Sequence, residues 1–183
     1  VSDSGMTGGP AQGLYPYRGL IGPQWASLGY PSEAVARHWE NRSCGVLSLH
    51  IAYRLLLDHQ AKPASLTEEL LAAGAYSERN GWLHAGLAAH ARKSGLKAEL
   101  MVIDGPEEFV RLLRGPGLCI ASVGRSFDEP GTRGHLVLAS GITEGEHVTV
   151  HDPNGSDPSS GYRHIPLDAF WEHFSKRVIY LSA

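Results

Sequence analysis

The chain has 183 residues, of which 42% are hydrophobic and 19% charged, with a formal net charge of -3. That length closes the core of one domain without disulfides or metals. No apolar run approaches the roughly 18 residues of a membrane span, and an acidic balance without clustered Lys and Arg argues against nucleic acid. Small molecules, peptides or protein-tethered substrates remain as partners, and nothing in the chain specifies an oligomeric state.

Residues 1–31 are rich in Gly, Pro and Tyr without helical or strand periodicity, which reads as an arm on the surface or a partly disordered segment ahead of a single domain over 32–183. VSDSGMTGGPAQG lacks the charged start and apolar stretch of a signal peptide, and the Gly8-Gly9 pair within it reads as linker. SEAVARHWENRS leads into CGVLSLHIAYRLLLDH, a central and largely buried helix with Ser43 or Asn41 as N-cap. SLTEELLAAGA carries a capping box from Ser65 to Glu68, and GWLHAGLAAHARKSG is a further helix ending near Gly95. LKAELMVI is then a strand, PEEFVRLLRG a helix with Pro106 in its first turn, and GLCIASVG a buried strand. GHLVLASGI, HVTVHDP and RVIYLSA are strands, with PLDAFWEHF a helix between the last two. A helical half followed by a mostly antiparallel sheet is an α+β layout with one core.

Cys44 opens the central helix, where unpaired backbone N–H groups and the positive dipole end favour a thiolate. Gly45 has no Cβ to obstruct an approaching carbonyl, and the Cys44 amide is a natural oxyanion donor. A buried structural thiol is the competing reading, so a second element has to decide. That element is GHLVLASGITEGEHVTVHDPNG, a hairpin. With its turn centred on Glu144 and Gly145, His135 faces Asn154 and Val137 faces Asp152, placing His135, Asp152 and Asn154 on one face of the sheet. An imidazole beside a carboxylate or amide is what a thiol nucleophile requires. A three-residue loop would shift the pairing by one and reverse the face.

NRSCGVLSLHIAYRLL, NGWLHAGLAAHARKSGL, GHLVLASGI and HDPNG, in that order across roughly residues 38–181, resemble the bacteriocin-processing, double-glycine peptidases and their stand-alone relatives. The resemblance implies a papain-like fold, with Cys44 as nucleophile, His135 as base and Asp152 as the orienting acid. The family has a Gln several residues before the nucleophile that helps to form the oxyanion hole. Here His38 stands in its place, with Asn41 nearby. Gly45 and Asn154 complete the set of expected oxyanion or substrate-binding residues.

A thiolate beside an imidazole takes an acyl group from an amide, ester or thioester, and the acceptor decides the reaction. The resemblance implies a cysteine peptidase acting on a peptide. The alternatives are a Dieckmann cyclase or acyltransferase that loads a carrier-protein-bound acyl thioester in tetramate or pyridone biosynthesis, and a non-catalytic peptide-binding module. Cys119, inside an apolar strand, reads as a packed thiol. The two cysteines form no disulfide framework, which favours a reducing, cytoplasmic compartment. No cofactor and no metal is expected: His50, His59, His84 and His90 lack an HExxH arrangement, His147 and His151 lack a third ligand, and no nucleotide or GxSxG motif is present. GRSFDEPGTRG, just before His135, is a loop at the rim of the site, read either as a lid or as a solvated turn.

Overall fold

The computed structural model describes residues 17–58, 61–125, 127, 131, 134–155 and 161–183. The helices are α1 (Arg18–Ile21), α2 (Glu33–Glu40), α3 (Cys44–Leu57), α4 (Pro63–Ala72), α5 (His84–Lys93), α6 (Pro106–Arg114) and α7 (Leu167–His173). The strands are β1 (Tyr76–Ser77), β2 (Gly81–Trp82), β3 (Lys97–Val102), β4 (Leu118–Gly124), β5 (Gly134–Ile142), β6 (His147–His151), β7 (Tyr162–Pro166) and β8 (Phe174–Ser182). Six of them form one antiparallel sheet in the order β3-β8-β4-β5-β6-β7, and β1 with β2 makes a separate two-stranded ribbon. This is the α+β layout expected from the sequence.

Strand alternation divides the core in two. Leu118, Ile120, Leu136 and Leu138 turn to the face that packs against α3 and α5. Cys119, Ala121, Val123, Val137 and Ala139 turn to the other face, against Phe109 of α6 and Phe170 of α7. Helix α3 is buried along most of its length: Val46, Leu47, Leu49 and Ile51 are at most 3% exposed. Fully burying side chains of this size contributes roughly 1.5–3 kcal/mol each, so packing rather than propensity fixes where α3 lies. Ser48 ties it to the sheet by donating to the Leu136 carbonyl at 3.3 Å. The first residues of α3 are thereby held beside the first residues of β5.

Helix α4 starts earlier than the Ser65 to Glu68 capping box predicts. Pro63 occupies its first turn and Lys62 is the N-cap, so Ser65 lies inside the helix. Proline supplies a helical φ and gives up an N–H that has no partner at that position anyway. The GW of GWLHAGLAAHARKSG is strand, with the helix beginning at His84. Strand β7 is an element the sequence reading did not contain. The described part of the arm, 17–31, lies against the domain: Ile21 and Tyr30 are buried in a small cluster with Ala36, Leu47 and Ala64, and the Arg18 amide donates to the Pro153 carbonyl at 2.9 Å. Gly8-Gly9 and His59 lie outside the described residues, as does much of the loop before His135. Among the described residues, no helix is long and apolar enough to cross a membrane.

Candidate active site

Cys44 is the first residue of α3, and Ser43 is the N-cap by position only. The Ser43 hydroxyl donates backwards to the Glu40 carbonyl at 3.1 Å, so no side chain caps the helix and no acidic residue occupies its first turn. Its free N–H groups and dipole therefore act on whatever lies beside Cys44. The turn that delivers Cys44 is held from two sides. The Arg42 amide donates to the Trp39 carbonyl at 2.8 Å, and Trp82 Nε1 donates to the Arg42 carbonyl at 2.5 Å. Trp82 also explains Gly45. A Cβ there would stand 2.6 Å from Trp82 Cγ, so the space expected to admit a substrate carbonyl is occupied by the indole.

His135 follows Gly134, whose φ of +102° is a conformation that side chains rarely adopt. Its partner comes from the other arm of the hairpin, by a route the sequence hides. The turn is a three-residue one: the Thr143 amide donates to the His147 carbonyl at 2.9 Å, and Glu146 has a φ of 55°. Near the turn Gly141 pairs with Thr149, but beyond a bulge at Ser140 the register changes and Leu138 pairs with His151. Continued past β6, this second register sets Val137 across from Asp152, the expected relation. The shift introduced by the longer turn is cancelled by the bulge, where Ser140 Oγ and His151 Nε2 are 3.0 Å apart.

His135 Nε2 lies 2.6 Å from Asp152 Oδ1, with the two residues 4% and 8% exposed. The same carboxylate oxygen accepts from the Asn154 amide at 2.8 Å, and the Asp152 amide donates to the Gly161 carbonyl at 2.6 Å. With Nε2 committed to the carboxylate, Nδ1 is the ring nitrogen left for the hydrogen bond to Cys44. Burial works against a charge on this imidazole. It is outweighed by the hydrogen bonds to Asp152 and Cys44 and by the charges of both, so His135 is pushed up from 6.5 to about 9. Cys119, by contrast, is fully buried among apolar side chains, and burial raises its thiol to about 12.

A cleft of about 890 Å³ opens in front of Cys44, with Asn41, Trp82, Ser122 and Leu136 among its walls. Cys44, His135 and Asp152 are thus brought together and Asn41 faces the same space. The remaining expected residues lie elsewhere. His38 is exposed, packs edge-on against Trp39 with ring centroids 5.0 Å apart, and is not part of the cleft lining. Asn154 sends its side chain to the Arg125 carbonyl at 3.2 Å and serves Asp152 only through its backbone. Trp82 and the cleft residues of β8 are absent from the sequence reading. Trp82 is preceded by a glycine with positive φ, Gly81, which was the available sign of a turn there.

The fold is papain-like, and Cys44, His135 and Asp152 form one cluster beside the cleft. Comparison of the sequence with protein families and with curated proteins finds no match. Among solved structures, the chain is similar to the double-glycine motif protease of an AMS/PCAT transporter, solved in complex with its leader peptide. The TM-score is 0.54 at 21% identity, over 77% of this chain and 85% of that one. It is also similar to the peptidase domain of Streptococcus ComA, a bifunctional ABC transporter of a quorum-sensing pathway, with a TM-score of 0.57 at 18% identity over 77% and 91% of the two chains. The N-terminal peptidase domain of the toxin secretion ATP-binding protein from Vibrio parahaemolyticus gives 0.51 at 19% identity, over 76% and 96%. The chain therefore has the fold of the bacteriocin-processing, double-glycine peptidase domains.

Two measurements follow from this geometry. Gly45→Ala forces its Cβ against the Trp82 ring, and overpacking of this kind costs about 1–3 kcal/mol, read as a lower urea midpoint. The second concerns pH. The folded imidazole titrates near 9, above its unfolded value of 6.5, so the stability it contributes is complete below 6.5 and is lost as pH rises through 9. The gap in unfolding midpoint between wild type and Asp152→Asn is accordingly widest just below pH 6.5 and closes as pH rises through 9.

Proposed function

We propose that the chain is a cysteine peptidase acting through an acyl-Cys44 intermediate, with one catalytic domain over 32–183. The observation that carries this reading is the Cys44–His135–Asp152 chain of contacts at an uncapped helix N-terminus. The thiolate attacks the scissile carbonyl, forming the C–S bond while the oxygen takes up negative charge. His135 then gives the proton on Nδ1 to the departing amine as the C–N bond breaks. Water, deprotonated by the same nitrogen, hydrolyses the thioester and releases the acid. Asp152 holds the ring so that Nδ1 faces the sulfur and stabilises the imidazolium. The Cys44 amide and the Asn41 side chain are the donors for the oxyanion, Asn41 standing in for the Gln that the family pattern places in this stretch. Peptide as substrate is supported by the leader peptide bound to the transporter protease of the same fold.

The test is to incubate the protein with a panel of leader-type peptides and with β-ketoacyl-aminoacyl thioesters, following acyl-Cys44 by intact mass. Cleaved peptide supports the peptidase, whereas ring product without hydrolysis replaces it by the cyclase. Cys44→Ala abolishes turnover with the fold intact, and Asp152→Asn lowers kcat by about 10²- to 10⁴-fold with little change in KM. Loss of an oxyanion donor costs about 10²–10³ in kcat, which is the expectation for Asn41→Ala, with His38→Ala near wild type. The reverse ranking of these two would move the donor to His38.

A further inference from the structure

The cleft in front of Cys44 has a sign. Arg42, Lys176 and Arg177 are among its walls and, among the described residues, no Asp or Glu is, in a chain whose formal net charge is -3. Lys176 is not free to serve it, because its ammonium donates to the Trp171 carbonyl and lies 3.8 Å from the centre of that indole. Arg177 is exposed, and among the described residues no carboxylate forms an ion pair with Arg42 or Arg177.

A second helix N-terminus meets the same cleft. Leu83 and His84 line it as the N-cap and first residue of α5, where again no side chain caps the helix and no acidic residue occupies the first turn. Two uncapped helix N-termini, at Cys44 and at His84, thus converge on one space, each presenting partial positive charge. Burial holds His84 below its usual range, and the charge of Arg177 adds to that effect, so the arginines carry the cationic character at neutral pH.

The wall bearing Arg177 is built by an irregularity of β8. Between the pairs Ala121–Val178 and Val123–Phe174 the strand carries extra residues, with Lys176 at a φ of 65° and its carbonyl accepting from the Ile103 amide at 2.8 Å. The bulge brings Ser175 and Arg177 to the cleft. The Ser175 hydroxyl is buried there without a hydrogen-bond partner among the described residues. That oxygen is closed off from solvent, so Arg177 is the group of the bulge that meets what enters the cleft.

We propose that this cleft selects an anionic substrate: the peptide whose scissile carbonyl reaches Cys44 carries an Asp or Glu side chain near it, seated by Arg177 and the N-terminus of α5. This rests on the reading of Cys44 as the acylated thiol. Low-dielectric walls that carry one sign concentrate the field on a ligand of the opposite sign, and a guanidinium takes a carboxylate through two parallel hydrogen bonds.

The experiment measures protection of Cys44 from iodoacetamide, site-resolved by mass spectrometry, by acetylated oligo-Glu, oligo-Gln and oligo-Lys peptides of equal length. It reads binding without requiring cleavage. Oligo-Glu is expected to protect at concentrations on the order of tenfold lower than oligo-Gln, a difference of ~1.4 kcal/mol, with oligo-Lys weakest. The preference is expected to disappear in Arg177→Gln and to shrink at high salt. Equal protection by Glu and Gln peptides, or a Glu preference that survives in Arg177→Gln, overturns the proposal. Labelling of Cys119 ahead of Cys44 would instead overturn the reading of Cys44 on which it stands, and the two failures are told apart in the same spectra.

Discussion

The hydrogen bond between His135 and Asp152, 2.6 Å long and closed off from solvent, constrains a large part of the molecule. A carboxylate and an imidazole are costly to bury apart and tolerable together only when each finds its partner in good geometry. The strands on which they follow must therefore be held in one register, and the loop after Asp152 must not drift. The first requirement is met by the bulge at Ser140, the second by the Asn154 amide on the carboxylate, the Gly161 carbonyl on the Asp152 amide, and the Arg18 amide on the Pro153 carbonyl. That last contact gives the described part of the N-terminal arm a place in the architecture of the site. Its apolar anchors, Ile21 and Tyr30, pack beside Leu47 of the helix that Cys44 begins.

How the sequence relates to this site depends on which physical signal each residue leaves. Cys44 was legible because it stands at the boundary between a polar turn and a long apolar run, and helix starts are marked by that contrast. The pairing of His135 with Asp152 was legible only through a cancellation. The hairpin turn is longer by one residue than the two-residue turn assumed from Glu144 and Gly145, and the bulge at Ser140 restores the register. Nothing in GHLVLASGI signals a bulge, since Ser140 continues the alternation of the strand. Such compensation arises because the buried pair fixes the far end of the hairpin while the turn chemistry fixes the near end, and the strand absorbs the mismatch between them.

Gly45 and His38 illustrate the opposite case, in which a local pattern suggested a role that tertiary packing assigned differently. The absence of a Cβ at Gly45 makes room for Trp82, whose indole N–H in turn secures the carbonyl of Arg42. A contact between residues so distant in sequence leaves no local trace. His38 occupies the position where the family resemblance implies a Gln, but its helix turns the ring outward onto Trp39, and Asn41 at the end of that helix faces the cleft. The start of helix α4 and the existence of strand β7 were not anticipated, for a simpler reason. Pro63 outweighs a Ser-x-x-Glu pattern two residues later, and YRHIP is too short and polar to declare itself before β6 supplies its partner.

Whole-chain charge is the least informative of the quantities read from the sequence about what enters the cleft. A net charge of -3 describes the average surface, while a bound substrate experiences the few groups that surround it. Arg42 reaches the cleft from the turn before α3 and Arg177 from a bulge in the last strand, so their convergence follows from topology alone. Among the described residues, the acidic groups lie outside the cleft lining, and exposed charges are screened by water and salt beyond about 10 Å. Inside the cleft the screening is weaker and the two helix N-termini add to the arginines instead of opposing them. The uncapped helix end at Cys44 and the His135 imidazole beside it adjoin the cleft wall that carries the arginines and the second helix end. On the proposed reading, the chemistry at the sulfur and the selection of what approaches it therefore draw on one continuous field.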